Sequence, residues 1–192
     1  MKKAVFLDRD GVINRNVHDL TKPDQLVLIP GSAEAIRKIN ESSLLVVVIT
    51  NQPVISKGFC SFEVMEKIHK RMSSLLAKEG ACIDAVYMCP HHPEKGHRGE
   101  VPALKIECDC RKPLTGLFLQ AEKERGIDLG KSWVVGDSYS DVAAGRSIGA
   151  KTILLTSGGG SGSRNEEDIP AVKPDYVLKN LSEAVKVILS TP

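Results

Sequence analysis

Four short segments of this 192-residue chain carry side chains that could do chemistry together. Asp8-Arg9-Asp10-Gly11 sets two carboxylates two residues apart, beside a glycine that lets the chain turn sharply and approach a ligand. Thr50-Asn51 adds a hydroxyl and an amide. Arg111-Lys112-Pro113 adds two cations, and Gly136-Asp137-Ser138-Tyr139-Ser140-Asp141 adds further carboxylates. Neighbouring carboxylates repel each other, and a hard divalent cation or a shared proton relieves the repulsion. The inventory suits phosphoryl transfer, which needs a nucleophile, Mg²⁺ to neutralise oxygen charge, and donors around the phosphoryl oxygens. A carboxylate nucleophile splits hydrolysis into two steps through an aspartyl-phosphate. Each segment alone is commonplace in turns. Their joint occurrence, three of the four directly after an apolar run, is what points to one site.

A second constellation is built from soft ligands. Cys89-x-His91 and Cys108-x-Cys110 offer three sulfurs and one imidazole, a full tetrahedral set that leaves no position for water. A structural zinc follows, with His92 as the alternative nitrogen. Cys110 immediately precedes Arg111 and Lys112. The surrounding stretch is rich in Pro, Gly and charge and would not hold two cations in place unaided, so zinc is expected to supply the ordering energy. Cys60 and Cys82 stand apart and read as bystander thiols, and His97 and His18 as surface residues. Five cysteines, an odd count, argue against a disulfide framework.

The elements that must position these groups follow from periodicity. Strands are expected at Ala4–Asp8, Leu44–Thr50, Asp84–Met88, Ser132–Gly136, Lys151–Thr156 and Asp175–Leu178. Helices are expected at Ser32–Glu41, Ser61–Glu79, Thr115–Arg125, Ser140–Ile148 and Leu181–Leu189. The valine-rich run Leu44–Thr50 reads as a strand buried on both faces. Such alternation predicts an α/β fold, a three-layer Rossmann-like parallel sheet with helices on both faces. Ligands then bind at the carboxyl ends of the strands, where Asp8, Thr50 and Asp137 fall. Strand alternation predicts Asp8 and Asp10 on one side and Arg9 on the other. Ser32 is the expected cap of the first helix. Residues 157–170, with four glycines, read as a surface loop without a phosphate-loop pattern.

Length sets one domain over 1–192, with the zinc loop at about 89–112. Net charge +2 and 4% aromatics argue against a nucleic-acid partner that needs a basic field or a stacking platform. No apolar run spans a bilayer, and the first apolar stretch stops at Asp8, too short for a signal peptide. A cytoplasmic monomer is the expectation.

The segments Asp8-Arg9-Asp10-Gly11-Val12-Ile13-Asn14, Pro30-Gly31, Thr50-Asn51-Gln52, Cys89-Pro90-His91-His92-Pro93 and Cys108-Asp109-Cys110-Arg111-Lys112-Pro113 resemble the haloacid dehalogenase superfamily of phosphohydrolases. The finer resemblance is to its zinc-containing branch, which includes heptose-bisphosphate phosphatases and the histidinol-phosphatase domain. The resemblance implies that Asp8 is the nucleophile and that Asp10 is the acid and base. It implies that Thr50 and Lys112 hold the phosphoryl oxygens, and that Asp8, Asp10 (through its backbone carbonyl) and Asp137 hold Mg²⁺. Asn51 and Arg111 would touch the substrate, Arg111 at a second anionic group. The implied reaction removes the 7-phosphate of D-glycero-D-manno-heptose 1,7-bisphosphate, with histidinol phosphate or another small sugar or polyol phosphate as the alternative substrate. About 40 residues separate Asp10 from Thr50 and about 60 separate Thr50 from Lys112, so neither gap holds a separate cap domain. The chain departs from the pattern at Pro53-Val54, at Asn16–Leu20 and at Ser138, in loops that touch the non-reacting part of the substrate in that family.

Overall fold

The computed structural model describes residues 1–17, 19–157 and 172–191. His18, and all but Ser157 of the glycine-rich stretch 157–170, lie outside the described residues. Six parallel strands form one sheet: β1 (Ala4–Leu7), β2 (Leu45–Asn51), β3 (Ala85–Cys89), β4 (Trp133–Gly136), β5 (Lys151–Leu155) and β6 (Tyr176–Leu178), in the order β3-β2-β1-β4-β5-β6. The helices are α1 (Ser32–Asn40), α2 (Phe62–Lys78), α3 (Gly116–Arg125), α4 (Tyr139–Ser147) and α5 (Leu181–Ser190). Each expected element is present, with ends shifted by a residue or two.

The period-2 side-chain alternation of β1 divides the core. Val5 and Leu7 pack with Ile36, Met65, Ile68, Val185 and Ile188 of α1, α2 and α5. Ala4 and Phe6 pack with Leu117, Phe118 and Ala144 of α3 and α4. The rings of Phe6 and Phe118 meet edge to face at 5.1 Å. Each such buried side chain contributes about 1.5–3 kcal/mol of apolar burial, which holds β1 firmly in place. It is central, and all four of its residues are buried.

The chain leaves β1 in one direction for β2 and β3, then returns to β1's other side for β4, β5 and β6. The order therefore reverses between β1 and β4, the switch point at which open parallel sheets form a crevice. Register carries Asp8 there, since Leu7 pairs with Val48 and Val135 and the Asp8 N–H donates to the Val135 carbonyl at 3.0 Å.

Two expectations are corrected. Ser32 does not cap α1. Gly31 takes that place with φ +83°, a left-handed conformation that glycine adopts without strain, and Ser32 is buried one residue inside the helix. Arg9 does not point away from Asp10. The strand ends at Leu7, so the alternation lapses, and Arg9 Nη2 lies 2.8 Å from Asp10 Oδ2.

Candidate active site

Asp8 leaves β1 beside the end of β4, where Asp137 follows Gly136. The capping turn of α4 brings Asp141 to the same place. Ser138 caps that helix, and its hydroxyl donates to Asp141 Oδ2 at 2.7 Å. Gly136 is required by this approach, because a Cβ there would lie 2.2 Å from the Asp141 side chain. Carboxylate oxygens of Asp8, Asp137 and Asp141 all fall within 4.8 Å of one another. Lys112 is buried among them. Its ammonium lies 3.0 Å from Asp8 Oδ1 and 2.6 Å from Asp141 Oδ1, and donates to the Ile49 carbonyl at 2.8 Å, which uses its three hydrogens.

Three carboxylates and one ammonium leave an excess of negative charge in a buried place. Burial, joined by Asp141 and Asp10, outweighs Lys112 and pushes the Asp8 carboxyl up to about 6. Burial and the charges of Asp8 and Asp141 push Asp137 up to about 8. Lys112 is held above the usual lysine range, because Asp141 and Asp8 more than offset its desolvation. Asp137 Oδ2 is buried without a hydrogen-bond partner. An unpartnered oxygen among mutually repelling carboxylates is a donor set that fits a hard divalent cation.

Asp10 stands outside that group. Asn14 Nδ2 donates to its Oδ1 at 2.7 Å, and Arg9 Nη2 and Gln52 Nε2 each donate to its Oδ2 at 2.8 Å. Burial opposes its ionisation, but Arg9 and these hydrogen bonds prevail and hold it below the ordinary carboxylate range. Arg9 is itself buried, with Nη1 against Met65 Sδ at 3.1 Å and His69 Nε2 at 3.3 Å. Burial and the Arg9 charge push His69 down to about 4, so at neutral pH its ring nitrogen accepts from the guanidinium.

Thr50 and Asn51 end β2. Thr50 Oγ1 accepts from Gln52 Nε2 at 2.9 Å. Asn51 spends both ends of its amide on the Lys112 backbone, donating to the carbonyl and accepting from the N–H, each at 3.1 Å. These bonds anchor the lysine's backbone.

The soft ligands converge as their spacing predicts. Cys110 Sγ is 3.1 Å from Cys89 Sγ and 3.3 Å from Cys108 Sγ, Cys89 and Cys108 are 3.6 Å apart, and His91 Nδ1 is 3.2 Å from Cys110 Sγ. A tetrahedron with Zn–S bonds of about 2.3 Å has edges of about 3.8 Å, so the cluster is of zinc-site size, slightly contracted. Geometry separates the two histidines left open by the sequence. His91 joins the cluster, while His92 Nδ1 accepts from the Glu94 N–H. Burial and the charges of Arg111 and Lys57 push His92 down to about 4. His97 is half-buried, and its ring packs edge-on against that of exposed Phe59. Cys60 is buried and Cys82 exposed, both apart from the cluster. The loop that carries these ligands rests on the turn after β2. Val101 N–H donates to the Ser56 carbonyl, and Gly58, at φ +76°, meets Gly99 so closely that a Cβ would lie 1.8 Å from its carbonyl oxygen. Buried Lys105 ties Glu100 to the Glu94 carbonyl within the loop. A cavity of about 720 Å³ opens beside Lys112, lined by Pro93, Ile106, Glu107, Cys108, Asp109, Arg111, Pro113 and Leu114.

Residues 109–184 match the family described as HAD-hyrolase-like. The chain is 37% identical over 188 residues to the D-glycero-beta-D-manno-heptose-1,7-bisphosphate 7-phosphatase of Pasteurella multocida (strain Pm70), covering 98% of this chain and 97% of that protein. The chain belongs to the HAD-like hydrolase family. It is a phosphatase of that family. The like-named protein of Rhodopseudomonas palustris is 40% identical over 148 residues, 77% of this chain and 80% of its own. Among solved structures, the D,D-heptose 1,7-bisphosphate phosphatase of B. bronchiseptica, crystallised with magnesium and phosphate, superposes with a TM-score of 0.81 at 31% identity, covering 97% of this chain and 98% of that one. Among the described residues, no helix is long and apolar enough to cross a membrane.

What the sequence missed is second in line from the reacting atoms. Asp141 was legible as a carboxylate four residues after Asp137, yet only the helix cap shows that it meets Lys112. Asn14, Gln52 and His69 carry no motif that marks them as partners of Asp10 and Arg9.

Proposed function

We propose that this phosphatase removes the 7-phosphate of D-glycero-D-manno-heptose 1,7-bisphosphate. The observation that carries the reading is the juxtaposition of a carboxylate nucleophile, its ammonium partner and a cation-ready carboxylate group at one strand edge, in a chain so similar over nearly its full length to enzymes of that name.

Asp8 attacks phosphorus, forming an aspartyl-phosphate and expelling the sugar oxygen. Asp10 gives that oxygen a proton, then takes one from the water that cleaves the acyl phosphate. A carboxyl held below the ordinary range is ionised at neutral pH and must first take up the proton that it gives. Its bonds to Arg9, Asn14 and Gln52 must therefore loosen as the leaving group arrives. Lys112 would turn one hydrogen from Asp8 Oδ1 to a phosphoryl oxygen, and the Thr50 hydroxyl would hold another. Asp8 and Asp137, with the Asp10 backbone, would hold Mg²⁺, and Asp141 stands beside them. A cation held there would neutralise oxygen charge on the transferring group. Cys89, His91, Cys108 and Cys110 would hold a structural zinc that fixes the loop carrying Arg111 and Lys112.

The second phosphate falls to Arg111, which lines the 720 Å³ cavity beside Lys112. Around His92 the charges of Arg111, Lys57 and Lys105 face that of Glu94, and the cavity also carries Glu107 and Asp109, so the preference for a bisphosphate over a cationic amino alcohol such as histidinol phosphate rests on Arg111. One domain over 1–192, acting as a cytoplasmic monomer, completes the reading. Its test is regiochemical. ³¹P NMR of heptose 1,7-bisphosphate treated with the Mg²⁺-supplied enzyme should show loss of the 7-phosphate resonance and retention of the 1-phosphate. Loss of the 1-phosphate first, or no turnover, would contradict it.

A further inference from the structure

Gln52 follows Thr50 and Asn51 at the end of β2 and is 4% exposed. Its backbone N–H donates to the Cys89 carbonyl at 2.7 Å, so its side chain starts from a fixed point. The side-chain nitrogen donates twice, to Asp10 Oδ2 at 2.8 Å and to Thr50 Oγ1 at 2.9 Å. A primary amide nitrogen has two hydrogens, so both are used. The reversed amide would set its carbonyl oxygen 2.8 Å from a carboxylate oxygen, two acceptors with no hydrogen between them. Asp10 is itself fixed by Arg9 and Asn14, so it dictates which way Gln52 faces.

The consequence falls on Thr50. A hydroxyl carries one hydrogen and two lone pairs. One lone pair takes the Gln52 hydrogen, and among the described residues this is the one side-chain hydrogen bond at Thr50 Oγ1. The hydroxyl hydrogen is thereby left to be donated, on a residue 1% exposed. Without Gln52 the same hydroxyl could turn and present a lone pair instead. Unprotonated phosphoryl oxygens only accept.

We propose that Gln52 is a positioning residue: its amide fixes Thr50 as a hydrogen-bond donor toward the phosphoryl group and ties that polarity to the placement of Asp10. This rests on the reading of Thr50 as a phosphoryl ligand. The double-mutant cycle of Thr50→Val and Gln52→Met, measured on the Mg²⁺-supplied enzyme with heptose 1,7-bisphosphate, tests it. The readouts are kcat/KM and inhibition by inorganic phosphate. A lost hydrogen bond to a charged group corresponds to roughly tenfold to a hundredfold, so each single variant should lose about that much kcat/KM. The double variant should be no more than about twofold worse than the worse single, because without the hydroxyl there is no donor left for Gln52 to fix. Inorganic phosphate should inhibit Gln52→Met and Thr50→Val more weakly by similar factors. Thermal melts check folding, and the same cycle with Gln52→Leu serves if Gln52→Met does not fold. Losses that multiply, or phosphate inhibition unchanged in Gln52→Met, would overturn the proposal while leaving Thr50 a phosphoryl ligand. An unaffected Thr50→Val would overturn both together.

Discussion

Replacing Asp137 by asparagine should stabilise the Mg²⁺-free protein while removing its Mg²⁺-dependent activity. Asp137 has carboxylate neighbours Asp8 and Asp141 within 4.8 Å, and one buried oxygen with no partner. At 4.8 Å and an effective dielectric of about 20, one ionised pair repels by roughly 3.5 kcal/mol. Lys112 offsets about one of the two neighbouring charges, which leaves a net destabilisation on the order of 3 kcal/mol. The sign follows from linkage. In the unfolded chain Asp137 ionises near its ordinary 3.8, whereas in the folded protein it is pushed up to about 8. Raising the pH through that window therefore favours the unfolded chain. Asp137→Asn should match the parent below pH 4 and exceed it increasingly up to about pH 8, where the gap levels off at about 6–12 °C in Tm for a protein of this size. The assay is thermal denaturation across pH after dialysis against Mg²⁺-free buffer without chelator, so that metal at the cysteine cluster is undisturbed. Added Mg²⁺ should raise the parent's Tm and leave the variant's unchanged. A variant less stable than the parent at pH 9, or a difference independent of pH, would refute the electrostatic reasoning.

Asp8→Asn should abolish turnover with the fold retained by circular dichroism, and full activity in that variant would rule out aspartyl-phosphate chemistry at Asp8. Lys112→Met should lower stability by about 3–5 kcal/mol, since Asp8 and Asp141 lose their buried counter-charge. Urea denaturation showing an unchanged midpoint would remove that role. Cys108→Ser should lose zinc by elemental analysis and lower both Tm and kcat/KM, because the loop carrying Arg111 and Lys112 loses its clamp. Unchanged zinc content would remove Cys108 from the ligand set.

The fold was legible because its signals are strong. Valine-rich runs such as Leu45–Asn51 are too apolar for a surface and too short for a buried helix, and glycines such as Gly126 close the helices with left-handed φ. The cysteine spacings were equally specific, since two short ligand pairs leave a tetrahedral cation little freedom. What was not legible depends on where a backbone stops being regular. Arg9 was placed away from Asp10 by strand alternation, but the strand ended at Leu7 and the guanidinium folded back. Ser32 looked like a cap by residue type, yet Gly31 adopts the left-handed turn that starts the helix. Asp141 and Gln52 do their work through partners 29 and 42 residues distant in sequence, and no local pattern records such a meeting.

The most direct test of the account is kcat/KM with Mg²⁺ for both anomers of heptose 1,7-bisphosphate, fructose 1,6-bisphosphate and histidinol phosphate, measured side by side on one preparation. The account predicts a preference of about a hundredfold or more for one heptose anomer, on the order of 3 kcal/mol in transition-state binding. Comparable low rates on all four, or histidinol phosphate as the best substrate, would contradict it.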